Sequence, residues 1–387
     1  MKTIIYNGQI IIDGEDKVPN GYILFSEEGI IEIGNSKESN VYMNDATIDK
    51  IDAKGLWVTP GLIDTHNHGA AGHDFIVTKS EELNIVGKTM IKEGVTGFLA
   101  STTVGDVPMM AQMATRLGSY VYQDGARCLG IHMEGPYLCE KYHAMMLPEY
   151  LRDANYEEYR NWQVLSNNFV KTITMAPDRE GVIDLTSRIK DEVAVMIGHT
   201  DASVQQVHQA KLAGVKGFTH FYNAMSQHEH RLPGVVTAGF IEDDLYCELI
   251  CDGMHVNKDV VKMTIKQMGP KRIILITDAM PGKWMDDGRF LFCGRWVVKE
   301  NGQTHLEGDT RIGGSIKPLN VMTKNVLDWC NVSINDIVQM ACVNPANLIK
   351  ETKKGSLHIG NDADVVIFDE NMVPVHVFVE GVRMSKD

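Results

Sequence analysis

No apolar run in this 387-residue chain approaches the roughly 20 residues a helix needs to cross a bilayer, so no membrane span is expected. The start, Met1-Lys2-Thr3-Ile4-Ile5-Tyr6-Asn7-Gly8, lacks a signal peptide's long apolar stretch and reads as a strand. Cysteine is sparse. There are seven, an odd number, with no C-x-x-C pair, which excludes a disulfide scaffold and a thiolate zinc knuckle and points to reduced thiols in a cytoplasmic protein. Cys247 and Cys251 read as buried structural thiols. Basic residues are outnumbered, 37 Lys and Arg against 51 Asp and Glu, for a net charge of −14. That balance disfavours nucleic acid or an anionic membrane as the main partner, while a local cluster of His and Arg still permits an anionic small molecule. Hydrophobic content of 44% and charged content of 23% are ordinary for a globular chain with an ample core.

The two ends share one style. Short strands are expected at 3–6, 9–12, 22–25, 30–33 and 46–49, with Asn7-Gly8, Asp13-Gly14 and Asn20-Gly21 as turns, and again at 364–368 and 375–381. Residues 1–58 and 355–387 therefore predict a small β-sandwich domain built from both termini. Residues 59–354 alternate apolar β-branched runs with amphipathic stretches such as 82–93 and 204–213, the pattern of repeated βα units. Eight such runs are expected, at 62–65, 97–101, 128–133, 172–175, 194–197, 217–218, 246–250 and 272–276. Their number and length predict an α/β fold, a (β/α)8 TIM barrel, with a doubly wound sheet as the alternative. The Tyr-rich stretch 137–168 reads as helices over the site.

A barrel places its chemistry at the C-terminal ends of its strands. Those ends read His66-Asn67-His68, Thr102, Glu134, Pro177-Asp178, His199, His220, Asp252 with His255, and Asp278. In extended backbone a His-x-His pair turns both imidazoles to one side, and two neutral imidazoles at one point suit a transition metal. Glu134, followed by Gly135-Pro136, reads as a ligand at the rim rather than half of a salt bridge. His199 and His220 each pass singly for core histidines; with Glu134 they make three ligands and leave a position for water. His66 and His68 supply a second position beside it. Asp278 is an N-cap in its ordinary role and an acid/base beside a metal in its chemical one. His255 and Arg231 lie on loops and suit an anionic group, or are solvated charges. His132, His208, His305, His358 and His376 stay in the background.

These motifs, in this order, resemble the amidohydrolase superfamily and, more narrowly, the N-acetylglucosamine-6-phosphate deacetylases. The resemblance runs nearly the whole chain and is most specific at His132-Met133-Glu134-Gly135-Pro136-Tyr137, Thr219-His220-Phe221-Tyr222-Asn223-Ala224-Met225 and Asp252-Gly253-Met254-His255. It implies hydrolysis of the N-acetyl group of an N-acetylhexosamine 6-phosphate, with the galactosamine epimer as the nearest alternative substrate. A cyclic amide or N-acyl amino acid hydrolase and a non-catalytic scaffold are the other readings. It also implies one or two divalent ions (zinc or iron first, manganese or cobalt next), held by Glu134, His199, His220, His66 and His68, with Asp278 as acid/base. Asn223, Ala224 and His255 would contact the sugar phosphate, and Arg231 would reach it across a homodimer interface. Where the family has Lys-Gly-x-His, this chain has Glu140-Lys141-Tyr142-His143 without the glycine, and His143 is the candidate substrate contact there.

Overall fold

The computed structural model describes residues 1–77, 79–121, 123–309 and 311–385; Thr78, Tyr122, Thr310, Lys386 and Asp387 lie outside the described residues. Among those described, eight parallel strands form one sheet in chain order: β1 (Leu62–Asp64), β2 (Val95–Ser101), β3 (Arg127–Glu134), β4 (Val170–Met175), β5 (Ala194–Ile197), β6 (Gly217–Phe218), β7 (Tyr246–Leu249) and β8 (Ile273–Leu275). Each is joined to the next through a helix, as at Ser80–Ile91 after β1 and Val204–Ala213 after β5, and Leu319–Trp329 follows β8. Local chemistry sets these helices. The Asp106 side chain accepts from Met109 N at the start of Val107–Gly118, and Ser203 with Gln206 forms a capping box at Val204.

The barrel is sealed one step beyond its strand ends. Asp278 N donates to His66 O and His68 N to Ala279 O, both at 2.8 Å. Beneath this seam the buried Asp64 carboxylate accepts from Thr277 N (3.1 Å), Thr277 Oγ1 (2.6 Å) and Asn67 Nδ2 (3.0 Å). The residues expected to carry chemistry are thus also those that close the cylinder.

The terminal strands form a second sheet, with Trp57–Pro60 paired antiparallel to Val365–Phe368. Phe25 and Phe378 stand four strands apart in its hydrogen-bonded order, yet their rings meet edge to face at 5.0 Å. The sheet has curled to face itself around Ile5, Ile23, Val58, Val365 and Ile367, the two-layered packing expected of a sandwich. Asn7-Gly8 makes no hairpin. Lys2–Ile11 runs through it as one strand with register shifts on either side of Gly8, and Asn7 takes φ 56°. The irregularity falls where the strand's parallel partner changes from Ile48–Asp52 to Trp57–Pro60. The stretch 137–168 holds two single-turn helices, Glu140–Tyr142 and Pro148–Tyr150, and one longer helix, Tyr156–Leu165.

A three-stranded antiparallel sheet (Gly288–Phe292, Arg295–Glu300, Gln303–Leu306) follows β8, where no strands were expected. Both of its turns place two successive residues at positive φ, Cys293-Gly294 (51°, 71°) and Asn301-Gly302 (51°, 76°), as a type I′ hairpin requires. Asn-Gly announces such a turn in sequence; Cys-Gly does not.

Under the barrel rim, Lys283 and Glu93 are both fully buried with Nζ 2.9 Å from Oε1, a pairing of charges rather than an aligned hydrogen bond. Glu93 also accepts from Trp284 Nε1 and Leu319 N, each at 2.9 Å. Lys283→Met leaves that carboxylate without its cation and should cost about 3–5 kcal/mol. A lowered urea midpoint that a second change, Glu93→Gln, partly restores is the expected result.

Candidate metal centre

Strand ends deliver the key side chains by an abrupt change of backbone. His199, His220 and Asp278 adopt φ of 50°, 35° and 47°, a left-handed conformation that non-glycine residues rarely take and that clusters at functional sites. Each thereby leaves its strand at once and presents its side chain to the barrel axis.

Glu134 is the hub. Its Oε1 lies 3.1 Å from His199 Nε2, 3.1 Å from His220 Nε2 and 3.5 Å from His66 Nε2, while Oε2 lies 3.3 Å from His68 Nε2. His199 and His220 Nε2 are 3.1 Å apart, and His66 and His68 Nε2 are 3.2 Å apart. Asp278 Oδ1 sits 3.4 Å from His66 Nε2 and 3.3 Å from His68 Nε2. The donors form two buried groups that share Glu134: His66, His68, Glu134 and Glu134, His199, His220.

The tautomers fit a cation. His199 Nδ1 donates to Tyr142 O at 2.8 Å, and His66 Nδ1 faces Glu248 Oε2 at 3.4 Å, so both rings turn an Nε2 lone pair to the centre. Deprotonated at Nε2, these imidazoles and the Glu134 carboxylate make the donor set of a divalent transition ion. The electrostatics agree. Burial alone would pull His66 and His68 down, but the Asp278 and Glu134 carboxylates push them up to about 9 and about 10. Burial would raise Glu134 and Asp278, yet the imidazoles hold Glu134 well below its usual range and Asp278 below the ordinary aspartate value. The pocket demands positive charge, which protons or a metal can supply.

His132 lies against this group without joining it. Its Nδ1 faces Ser101 Oγ at 3.0 Å and its Nε2 faces Thr174 Oγ1 at 2.8 Å, so no lone pair is left for a metal.

A cavity opens over the centre, lined by His68, Glu134, His199, His220 and Asp278 and also by Asn223, Ala224 and His255. His255 Nδ1 donates to Asp252 Oδ2 (2.7 Å) and Nε2 to Gly313 O (2.5 Å). Burial opposes its charge, but the Asp252 carboxylate prevails and raises its pKa, giving the cavity a cationic edge. His143 lines an adjoining cavity with Lys141 and Arg311, and its Nδ1 donates to Met146 O at 2.9 Å. Arg231 is exposed and does not line this cavity; its backbone N donates to Glu229 Oε2 at 2.8 Å.

Sequence reasoning passed over Glu248, whose carboxylate accepts from Thr65 Oγ1 (3.1 Å) while facing His66. The available signal was a charged residue inside the apolar run Tyr246-Cys247-Glu248-Leu249. It also passed over the roof, where the tip of the first hairpin after β8 places Phe292 edge-on to His68 at 5.8 Å and Cys293 beside it.

Residues 57–384 match the Amidohydrolase family. The chain is 33% identical over 366 residues to the N-acetylglucosamine-6-phosphate deacetylase of Lysinibacillus sphaericus, covering 91% of this chain and 94% of that protein. It is 30% identical over 330 residues to the N-acetylgalactosamine-6-phosphate deacetylase of Escherichia coli O157:H7, covering 84% and 87%. Among solved structures, a mutant N-acetyl-D-glucosamine-6-phosphate deacetylase of Mycobacterium smegmatis in complex with N-acetyl-D-glucosamine-6-phosphate superposes with a TM-score of 0.90 over 99% of both chains. At 24% identity that likeness speaks for the fold.

If Glu248 fixes the His66 tautomer, Glu248→Gln should weaken zinc at the His66, His68, Glu134 group about 10- to 100-fold and spare the other group. Calorimetric titration of metal-stripped protein would register one class of site weakened. An isotherm identical to wild type would mean that His66 is oriented without Glu248.

Proposed function

Because the chain belongs to the amidohydrolase family, we propose that it hydrolyses the N-acetyl group of an N-acetylhexosamine 6-phosphate, N-acetylglucosamine 6-phosphate first, to acetate and the amino-sugar 6-phosphate. The observation that carries this reading is Glu134 shared between two histidine groups, with Asp278 3.3–3.4 Å from His66 and His68 in the cavity that Asn223, Ala224 and His255 line.

Glu134, His199 and His220 hold the principal divalent ion, zinc or iron with manganese or cobalt as substitutes, and His66 and His68 with Glu134 offer a second position. When bound, the ion supplies Lewis-acid polarisation and lowers the pKa of water toward neutrality. Asp278, kept ionised by the imidazoles beside it, accepts the proton of the attacking water. It then delivers that proton to the amide nitrogen as the C–N bond breaks, since an amide does not expel an unprotonated amine. His255, with its raised pKa, draws the phosphate to the far edge of the cavity, and Asn223 and Ala224 border the sugar beside His220. Arg231, exposed on its loop, serves the phosphate of a partner copy in a homodimer. His143 contacts substrate from the adjoining cavity. Among the described residues no helix is long and apolar enough to cross a membrane, and the cysteines are unpaired, which supports a cytoplasmic site of action. The E. coli O157:H7 relative supports N-acetylgalactosamine 6-phosphate as the second substrate to try.

Acetate release from the two phosphates and from unphosphorylated N-acetylglucosamine tests the reading. Turnover should require the phosphate, stop on chelation and return with added zinc or iron. Asp278→Asn should lower kcat about 10²- to 10⁴-fold with metal content unchanged. Near-normal kcat in that variant would remove Asp278 from the chemistry, and no acetate from any of the three would end the proposal.

A further inference from the structure

The roof of the cavity divides by chemistry. On the β6–β7 side stand Asn223, polar, and His255, cationic, with the small Ala224 next to Asn223. On the β1–β3 side stand Thr103, Met145, Phe292 and Cys293, all uncharged. Thr103 follows β2, Met145 lies in the loop after β3, and the hairpin tip is pinned to this side by Cys293 Sγ 3.1 Å from Thr103 Oγ1 and by Phe292 against His68. The metal ligands and Asp278 lie between the two sides.

An amide is planar, and the substituents on its carbon and on its nitrogen point away from each other. With the scissile carbonyl at the metal ligands and the sugar phosphate toward His255, the acyl chain must point to the uncharged side. That side ends in a thin wall. Thr103, Met146 and Cys293 line both the catalytic cavity and a second, mostly apolar cavity bordered by Ile76, Val104, Met109, Leu147 and Tyr150, with Arg295 as its charged member. Among the described residues no other lining residue is shared by the two.

We infer that Cys293, with Thr103, is the acyl-length gate: together with Met146 the pair forms the end wall that fits a methyl group and keeps longer N-acyl chains out of the cavity beyond. The inference rests on the deacetylase reading and names the feature of that site that sets its acyl specificity. Selection by a closed apolar wall is steric, and each methylene admitted or refused is worth about 10- to 200-fold in kcat/KM.

The test measures kcat/KM for the N-acetyl, N-propionyl and N-butyryl forms of glucosamine 6-phosphate, with wild type, Cys293→Gly and Thr103→Ala. Cys293 occupies the first positive-φ position of its turn, φ 51°, where glycine is the preferred residue, so Cys293→Gly opens the wall without straining the hairpin. Wild type should favour acetyl over butyryl, and Cys293→Gly should raise the butyryl-to-acetyl ratio at least about tenfold, the value of one methylene. Thr103→Ala opens the same wall from the barrel side and should move the ratio in the same direction, which keeps the test intact if the hairpin variant fails to fold. A ratio unchanged in both variants overturns the gate. Absence of acetate from the wild-type protein is a different failure, since it strikes the deacetylase reading before any variant is compared.

Discussion

The structure turns on one buried carboxylate. Glu134 is 2% exposed and is approached by the Nε2 atoms of four histidines from three other strand ends. An isolated ionised glutamate is prohibitively costly in such a place, so the arrangement is stable only with compensating positive charge. Protonated His66 and His68 give part of it, and a divalent ion gives the same compensation more compactly. The strain at His199, His220 and Asp278 follows from that demand. Their strands must stop and turn inward together at one height on the barrel, and extended backbone does not do this for three side chains at once.

Closure of the barrel and construction of the site are one event. The hydrogen bonds between the His66–His68 and Asp278–Ala279 segments seal β1 to β8, and the same two segments place two imidazoles within 3.4 Å of the Asp278 carboxylate. Asp64 beneath them ties Thr277 to Asn67 by hydrogen bonds that hold the seam in register. A disturbance that parts β1 from β8 therefore separates the proposed acid/base from one histidine group directly, without any change in the ligands themselves. Gly314 adds to this register, since a Cβ there would stand 2.6 Å from Asp278 O.

The barrel strands were legible because parallel strands covered on both faces are continuous apolar runs, and such runs stop where the chain meets the rim. That is why the runs ending at Ile197 and Phe218 were read to their last residues, and why Glu134, His199 and His220 stood out as polar residues at apolar termini. Asn7-Gly8 misled because a turn dipeptide and a bulge ask the same thing of the backbone, a residue at positive φ; only the change of partner strand decides between them. Glu248 was missed for the opposite reason: it lies within its strand, where the pattern of strand ends does not look. The hairpin sheet after β8 was missed because its strands are half exposed and one of its turns is Cys-Gly, so neither periodicity nor turn chemistry marks both ends.

The two classes of residue answer to different constraints. The rim side chains are fixed by the barrel, since each must end its own strand at a set height; the roof is fixed only by what it touches. Phe292 and Cys293 belong to a sheet whose three strands pair with one another, and it reaches the barrel mouth through His68 and Thr103. Replacement at the roof alters the shape of the space above the ligands and leaves their mutual distances to β1, β3, β5, β6 and β8. Replacement at the rim alters charge in a buried cluster, where each imidazole helps to offset the same carboxylate. Acyl selection, being steric, can therefore change by steps at the hairpin tip, whereas the charge balance around Glu134 admits few substitutions because every member of the cluster depends on the others.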